Sequence, residues 1–95
     1  MFASDAGSER ATSLLDYQTT CADFISDISK DYMDWVDRYT LGEAETSRRK
    51  SAIASIVKET NEWIFAHADN IKKVDVVMND GVNKMAENTA GYPFT

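Results

Sequence analysis

Apolar side chains recur at alternating steps of four and three residues along two long stretches of the chain. The first stretch runs from Leu14 to Tyr39, and the second runs from Ile53 to Met85 without a change of phase. Steps of this size place the residues on one face of an α-helix. No stretch alternates apolar and polar residues at every second position, as a half-buried strand would. The pattern therefore predicts an all-α protein.

The only strong interruption between the two stretches is the segment 40–43, which contains Gly42. Glycine readily adopts the left-handed conformation that closes a helix. We therefore predict helix 1 over about 9–40, helix 2 over about 43–87 and a flexible tail over 88–95, all within one domain. A short connection makes consecutive helices antiparallel neighbours, so the expected unit is a helical hairpin.

The two predicted helices differ in length, and this difference leaves part of helix 2 uncovered. Helix 1 reaches only to about Asn70 of helix 2, yet the apolar face continues from Ile71 to Met85. At about 1.5 Å per residue, the uncovered stripe is on the order of 20 Å long. We expect a second chain, identical or not, to cover it and complete a four-helix bundle. The alternative is a bend near 67–70, after which the chain returns as a third helix of a self-contained three-helix bundle.

Glycine also occurs near the end of helix 2, in the tripeptide Asn79-Asp80-Gly81. Gly costs up to about 1 kcal/mol relative to Ala in a helix interior. We therefore expect a weak point at Gly81, where helix 2 frays or ends.

A partner that completes the bundle would contact the apolar faces of both helices and Phe65, which lies off the face of helix 2. The predicted partner-binding residues are Leu14, Ile25, Ile28, Trp35, Ile64, Phe65, Ile71, Val74 and Met78. The sequence also predicts positions for several further large side chains. Ile56, Trp63 and Val77 widen the face of helix 2, Trp35 and Trp63 are expected to anchor the core, and Val76, Tyr92 and Phe94 lie outside it.

Charge is unevenly distributed along the chain. Residues 1–47 hold ten Asp and Glu against three Lys and Arg, whereas residues 48–95 hold six against seven. Binding to nucleic acid requires clustered Lys and Arg that neutralise phosphates, so no direct nucleic-acid contact is expected. On helix 1 the acidic residues fall on the face opposite the apolar one. An alternative function is therefore an acidic inhibitor or immunity protein that docks on a basic partner through Asp23, Asp27, Asp31 and Asp34.

The residues that commonly carry catalysis are few. The single histidine, His67, falls on the apolar face of helix 2, where a buried or half-buried structural role is expected. The single cysteine, Cys21, falls on the face of helix 1 and is expected to be a small core residue. No calcium-loop or zinc pattern occurs. We therefore predict no enzymatic activity, no cofactor and no catalytic or metal-binding residue.

The chain also lacks the features of a cleavable signal peptide or a membrane span. Residues 1–10 do not show the basic-then-apolar order of a signal peptide, and no run approaches the roughly 18 apolar residues of a membrane helix. We expect a protein that is cytoplasmic or exported without a cleavable signal peptide.

Two long helices joined by the turn Tyr39-Thr40-Leu41-Gly42 in a chain of 95 residues resemble a known family. These are the WXG helical hairpins exported by type VII secretion systems, together with small relatives that escort toxin substrates. The resemblance is architectural and covers most of the chain. Gly42 matches the Gly of the family's Trp-x-Gly turn, and the Trp is not matched. The family's aromatic-x-x-x-acidic export signal follows helix 2, whereas its analogue here, Phe65-x-x-x-Asp69, lies earlier. The resemblance implies a secretion-targeting protein that pairs with a second hairpin.

Overall fold

The computed structural model describes the backbone of residues 2–89 and the side chains of residues 13–89. Helix α1 spans Phe2–Tyr39, helix α2 spans Glu43–Ala66 and helix α3 spans Ile71–Glu87. No strand occurs in this part of the chain, and the prediction of an all-α fold is confirmed. The predicted single helix over 43–87 is wrong, because the chain leaves the helical conformation after Ala66 and resumes it at Ile71. Of the predicted tail, residues 90–95 lie outside the described residues, and so do Tyr92 and Phe94.

All three helices pack against one another. Lys50 of α2 forms an ion pair with Asp37 of α1 at 3.1 Å, close to the turn that joins the two helices. Tyr17, near the other end of the α1–α2 contact, donates a hydrogen bond to Asp75 of α3. Helix α3 therefore doubles back along α1 and α2. Its own apolar stripe, which a continuous helix 2 would have left uncovered, is therefore covered by α1 and α2, as in the three-helix alternative.

The turn between α1 and α2 contains Gly42, which has the predicted positive φ but is the N-cap of α2 and not the residue that closes α1. Its φ of 90° lies in the left-handed region that side chains other than glycine rarely adopt. The carbonyl of Gly42 accepts hydrogen bonds from the backbone N–H and the hydroxyl of Thr46, at 3.1 and 2.9 Å. Glu43 and Glu45 then lie in the first turn of α2, where negative charge is favourable at the positive end of the helix dipole.

The turn between α2 and α3 is built from side-chain contacts to the backbone. Asn70 caps α3, since its side-chain oxygen accepts a hydrogen bond from the N–H of Lys73 at 2.9 Å. Gln18 of α1 donates from Nε2 to the carbonyls of Ile64 and Ala68, at 2.9 and 3.1 Å. These two carbonyls lie where α2 ends and are buried, so the bonds from Gln18 satisfy acceptors that the helix itself leaves unpaired.

The core lies between the three helices. Its fully buried side chains come from each of them and are Ile25, Val36, Ile53, Ile64, Val74 and Met85. Cys21 is buried as well, which confirms the prediction that it is a small core residue. His67 corrects the sequence expectation, since it is exposed. It occupies the position just past the end of α2, where the helical phase no longer determines which residues face the core.

Gly81 gives a second correction. It lies within α3 and is buried against Thr60 of α2, and α3 continues to Glu87. A Cβ atom at this position would lie 2.5 Å from Thr60 Oγ1 and 2.8 Å from Thr60 Cγ2. The absence of a side chain therefore allows the two helices to approach closely. Gly81, which the sequence marks as a weak point, is therefore a helix-packing residue.

Candidate functional site

A groove runs between α2 and α3 and encloses about 370 Å³. Its lining comes from these two helices alone and consists of Ile56, Glu59, Thr60, Trp63, Val76, Val77, Asp80 and Lys84. We call it the α2–α3 groove. The residues from each helix are mostly three or four positions apart, so each set forms one stripe along its helix.

The groove exposes large apolar side chains. Trp63 is 54% exposed and Val76 is 65% exposed, whereas Ile56 and Val77 beside them are half-buried. The sequence expectation that Trp63 anchors the core is therefore wrong. The indole ring instead packs against the ring of His67, with ring centroids 4.3 Å apart. This contact orients a large aromatic surface that still faces solvent.

The rim of the groove is acidic. Lys84 Nζ lies 2.9 Å from Asp80 Oδ2. The hydrogen bond and charge of Asp80 raise the pKa of the Lys84 ammonium, and the charges of Glu59 and Glu87 raise it further. Glu59 itself forms no ion pair within residues 13–89. The groove lining thus holds two carboxylates, those of Glu59 and Asp80, against one lysine, and it carries net negative charge.

The structure divides the predicted partner-binding residues into three groups. Ile25, Ile64 and Val74 are fully buried against their own chain, so a partner cannot contact them while the fold is intact. The half-buried group packs at the edge of the core or beside it and comprises Leu14, Ile28, Trp35 and Met78. Only Phe65 and Ile71 are exposed. Most of the apolar residues that were predicted to contact a second chain thus pack against helices of their own chain.

Trp35 is the second tryptophan and differs from Trp63 in its surroundings. Its side chain is half-buried and packs against Tyr39, one helical turn further along α1, with ring centroids 4.4 Å apart. Trp35 lies on α1 and does not line the α2–α3 groove. The two tryptophans are therefore not parts of one surface.

The acidic residues predicted as an alternative docking face are all exposed on α1. Asp27 lies 3.9 Å from Lys30, and Asp34 lies 3.1 Å from Arg38. Among residues 13–89, Asp23 and Asp31 have no ion-pair partner. Their three- and four-residue spacings place them on the side of α1 away from the core.

The half-buried polar groups of the bundle serve packing. The hydroxyl of Tyr17 donates to Asp75, and this hydrogen bond is the largest cause that raises the pKa of Tyr17 to about 12. Burial raises the pKa of the neighbouring Cys21 thiol. A thiol with a raised pKa stays protonated at neutral pH and is a poor nucleophile. Within the described residues, no group of His, Cys, Asp and Glu side chains could hold a metal ion.

Val76 lines the α2–α3 groove, whereas the sequence predicted only that it lies outside the core. Ile56, Trp63 and Val77 were assigned to a widened apolar face. The sequence signal for the groove was therefore the widening of that face by these three residues.

No helix among the residues described here is long and apolar enough to cross a membrane. No protein-family model matches the chain, and neither a curated protein nor a solved structure is similar enough to match it.

Proposed function

We propose that this protein is a protein-binding module that receives a helix of another polypeptide in the α2–α3 groove. A helix seated there would pack against α2 and α3 and, with α1, would make a four-helix bundle. This proposal keeps the predicted interaction through an apolar face and moves it from the core residues to the groove. The observation that carries it is the half-exposed Trp63 in a groove that it lines together with Ile56, Val76 and Val77.

The exposed area of Trp63 is large enough to contribute substantially to binding. A tryptophan buries about 150–250 Å² when it is fully enclosed, so covering the exposed half would remove on the order of 100 Å² from water. At about 25 cal/mol per Å², this corresponds to about 2.5 kcal/mol. Tryptophan is also enriched among the residues that dominate the energetics of protein interfaces.

The resemblance to WXG hairpins describes one form of this proposal, in which the bound helix belongs to a secretion partner. Helix α3 distinguishes the present chain from a two-helix hairpin, because it occupies a side of α1 and α2 that a hairpin leaves open. A partner of this chain would therefore add its helix beside α3. It would not replace α3.

The proposal is tested by comparing two variants in a binding experiment with the proteins encoded beside this one. The groove variant is Trp63→Asp with Val76→Asp. The control variant is Leu15→Asp with Phe24→Asp, which changes two similarly exposed apolar residues on α1. Light scattering coupled to gel filtration measures the mass of each mixture.

We expect the wild-type protein and the control variant to form a complex, and we expect the groove variant to remain at its own mass of 10.6 kDa. A groove variant that binds as tightly as wild type would contradict the proposal. Circular dichroism of each variant alone shows whether it is folded, so loss of binding is distinguished from loss of structure.

The second candidate is an acidic inhibitor or immunity protein that docks on a basic partner through α1. The exposed and unpaired Asp23 and Asp31 favour it. Replacing Asp23, Asp27, Asp31 and Asp34 with Asn would then weaken binding strongly, and the effect would decrease as salt is added. A complex formed through the groove would respond little to the same four replacements.

A further inference from the structure

The acidic residues of the α2–α3 groove lie in the middle of its two stripes. Glu59 lies between Ile56 and Trp63 on α2, and Asp80 lies between Val77 and Lys84 on α3. A bound helix would therefore lie along apolar side chains beside Glu59, which has no ion pair among the described residues, and Asp80, which pairs with Lys84 at 2.9 Å. A chain that places Lys or Arg at the borders of its apolar stripe would gain favourable contacts on both sides.

The length of the groove determines how much of a helix it can hold. Ile56 and Trp63 are seven residues apart, which corresponds to about 10 Å of helix at 1.5 Å per residue. On α3, the lining residues span a similar length, from Val76 to Lys84. The groove thus accommodates about two turns of a helix, with apolar residues spaced three, four and seven positions apart.

A second copy of this chain is a poorer occupant. A symmetric dimer brings the same surface of both copies together. A contact whose twofold axis passes near the middle of the groove would place Glu59 and Asp80 of one copy close to the same two carboxylates of the other. Like charges that face one another across an interface disfavour it. The outer face of α1 carries further Asp residues and would meet the same repulsion.

We propose that the α2–α3 groove binds a cationic amphipathic helix, one whose apolar stripe packs on Trp63 and whose flanking Lys or Arg side chains face Glu59 and Asp80. This inference rests on the proposed function and specifies the chemistry of the partner. The binding mode is a helix laid in a groove, and the charges around the groove select its sequence.

The test uses two designed peptides of about 18 residues, which as helices are long enough to extend beyond both ends of the groove. Both carry the same leucine stripe at positions three and four apart. One has Lys at the borders of the stripe, and the other has Glu at the same positions. Isothermal titration calorimetry measures the affinity of each peptide for the full-length protein at low and high salt.

The Lys peptide is expected to bind at least about tenfold more tightly than the Glu peptide at low salt, a difference of about 1.4 kcal/mol. High salt reduces the difference, because exposed charges are screened. Replacing both groove carboxylates, in the variant Glu59→Gln with Asp80→Asn, reduces the preference to about threefold or less. The control variant, Asp23→Asn with Asp27→Asn, removes the same charge from α1 and retains the preference.

Four results would overturn this proposal: equal affinity for the two peptides, preference for the Glu peptide, no binding of the Lys peptide, or an equal loss of preference in the α1 control. A dimeric mass in light scattering that returns to the mass of one chain in the variant Trp63→Asp with Val76→Asp would overturn it as well. The variant Trp63→Ala distinguishes a failure of the predicted charge preference from a failure of the proposed helix binding. If both peptides bind equally and both lose affinity in that variant, the groove binds helices and only the charge preference is wrong.

Discussion

Gly81 offers a test of the packing between α2 and α3, because its replacement has opposite effects on the helix and on the interface. Gly81→Ala improves the intrinsic helix propensity by up to about 1 kcal/mol. The same change places a Cβ atom 2.5 Å from Thr60 Oγ1 and 2.8 Å from Thr60 Cγ2. Forcing extra atoms into a packed interior typically costs about 1–3 kcal/mol. We therefore expect Gly81→Ala to destabilise the protein by up to about 2 kcal/mol.

A second substitution, Thr60→Ala, removes the atoms that would clash with alanine at position 81. In the variant Thr60→Ala, the threonine hydroxyl and methyl group are absent, and the closest remaining atom of residue 60 is its Cβ, 3.2 Å away. Adding Gly81→Ala to this background retains the gain in helix propensity and loses most of the clash. We expect the added alanine to be neutral or to stabilise by up to about 1 kcal/mol. The sign of the effect of one substitution thus depends on the residue across the interface.

Urea denaturation followed by circular dichroism measures the four proteins of this double-mutant cycle. Each free energy of unfolding comes from the midpoint and slope of its transition, and an unchanged slope shows that the unfolding process is comparable. The coupling between the two sites is expected to be about 1–3 kcal/mol, well above the roughly 0.5 kcal/mol seen for independent sites. An alanine at 81 that stabilises the wild-type background as much as the Thr60→Ala background would show that the helices do not approach closely there.

Three further predictions concern the turn between α2 and α3 and the contact of α1 with α3. Gln18→Leu removes the donor to the buried carbonyls of Ile64 and Ala68, so it should lower the free energy of unfolding by about 1–3 kcal/mol. A urea midpoint equal to that of wild type would refute this role. Asn70→Ala removes the cap of α3 and should cost about 1 kcal/mol, whereas Asn70→Ser should retain most of the stability, as measured by thermal unfolding. Equal losses in the Ala and Ser variants would show that the cap is unimportant. Tyr17 has a pKa raised to about 12, against an ordinary value of 10.0, so its hydroxyl is more stable in the protonated form when the protein is folded. The contribution of this hydroxyl to the free energy of unfolding is complete below pH 10 and is lost as the pH rises through about 12. Tyr17→Phe should therefore reduce the loss of stability that alkaline denaturation curves show over this pH range. A Tyr17→Phe variant with the same alkaline decline as wild type would assign the pH dependence to other groups.

The sequence predicts the first half of the fold better than the second. The end of helix 1 near Tyr39, the left-handed Gly42 and the start of α2 at Glu43 all follow from local properties of the residues involved. The break after Ala66 does not follow from them. The four residues between α2 and α3 preserve the alternating step of the apolar positions, so the pattern alone cannot distinguish one long helix from two. Asn70 was a local signal, since it stands where a cap residue would precede a new apolar stripe.

The remaining determinants of the break are not local. Gln18 bonds to the carbonyl of Ala68, and the two residues are 50 positions apart in the chain. The hydrogen-bonding role of Gln18 appears only when α1 and the end of α2 are brought together. Gly81 is a comparable case, since its packing role depends on Thr60 of another helix. In both cases, helix propensity and residue spacing predict only the local conformation of the residue. Its role in the structure is a contact with a different helix, which these local properties do not predict.

The width of the apolar face of α2 links the fold to the proposed function. Ile53 and Ile64 of α2 are fully buried in the core. Ile56 and Trp63 extend the same face beyond the region that α1 and α3 cover, and the groove begins there. A helix that has two neighbours needs an apolar stripe of only moderate width, whereas a helix within a larger bundle needs a wider one. Within the described residues α2 has two neighbouring helices, and they leave Trp63 54% exposed. The partner helix in the α2–α3 groove would be the third neighbour, and for this reason the exposed Trp63 is better explained by binding than as an unneeded part of the core.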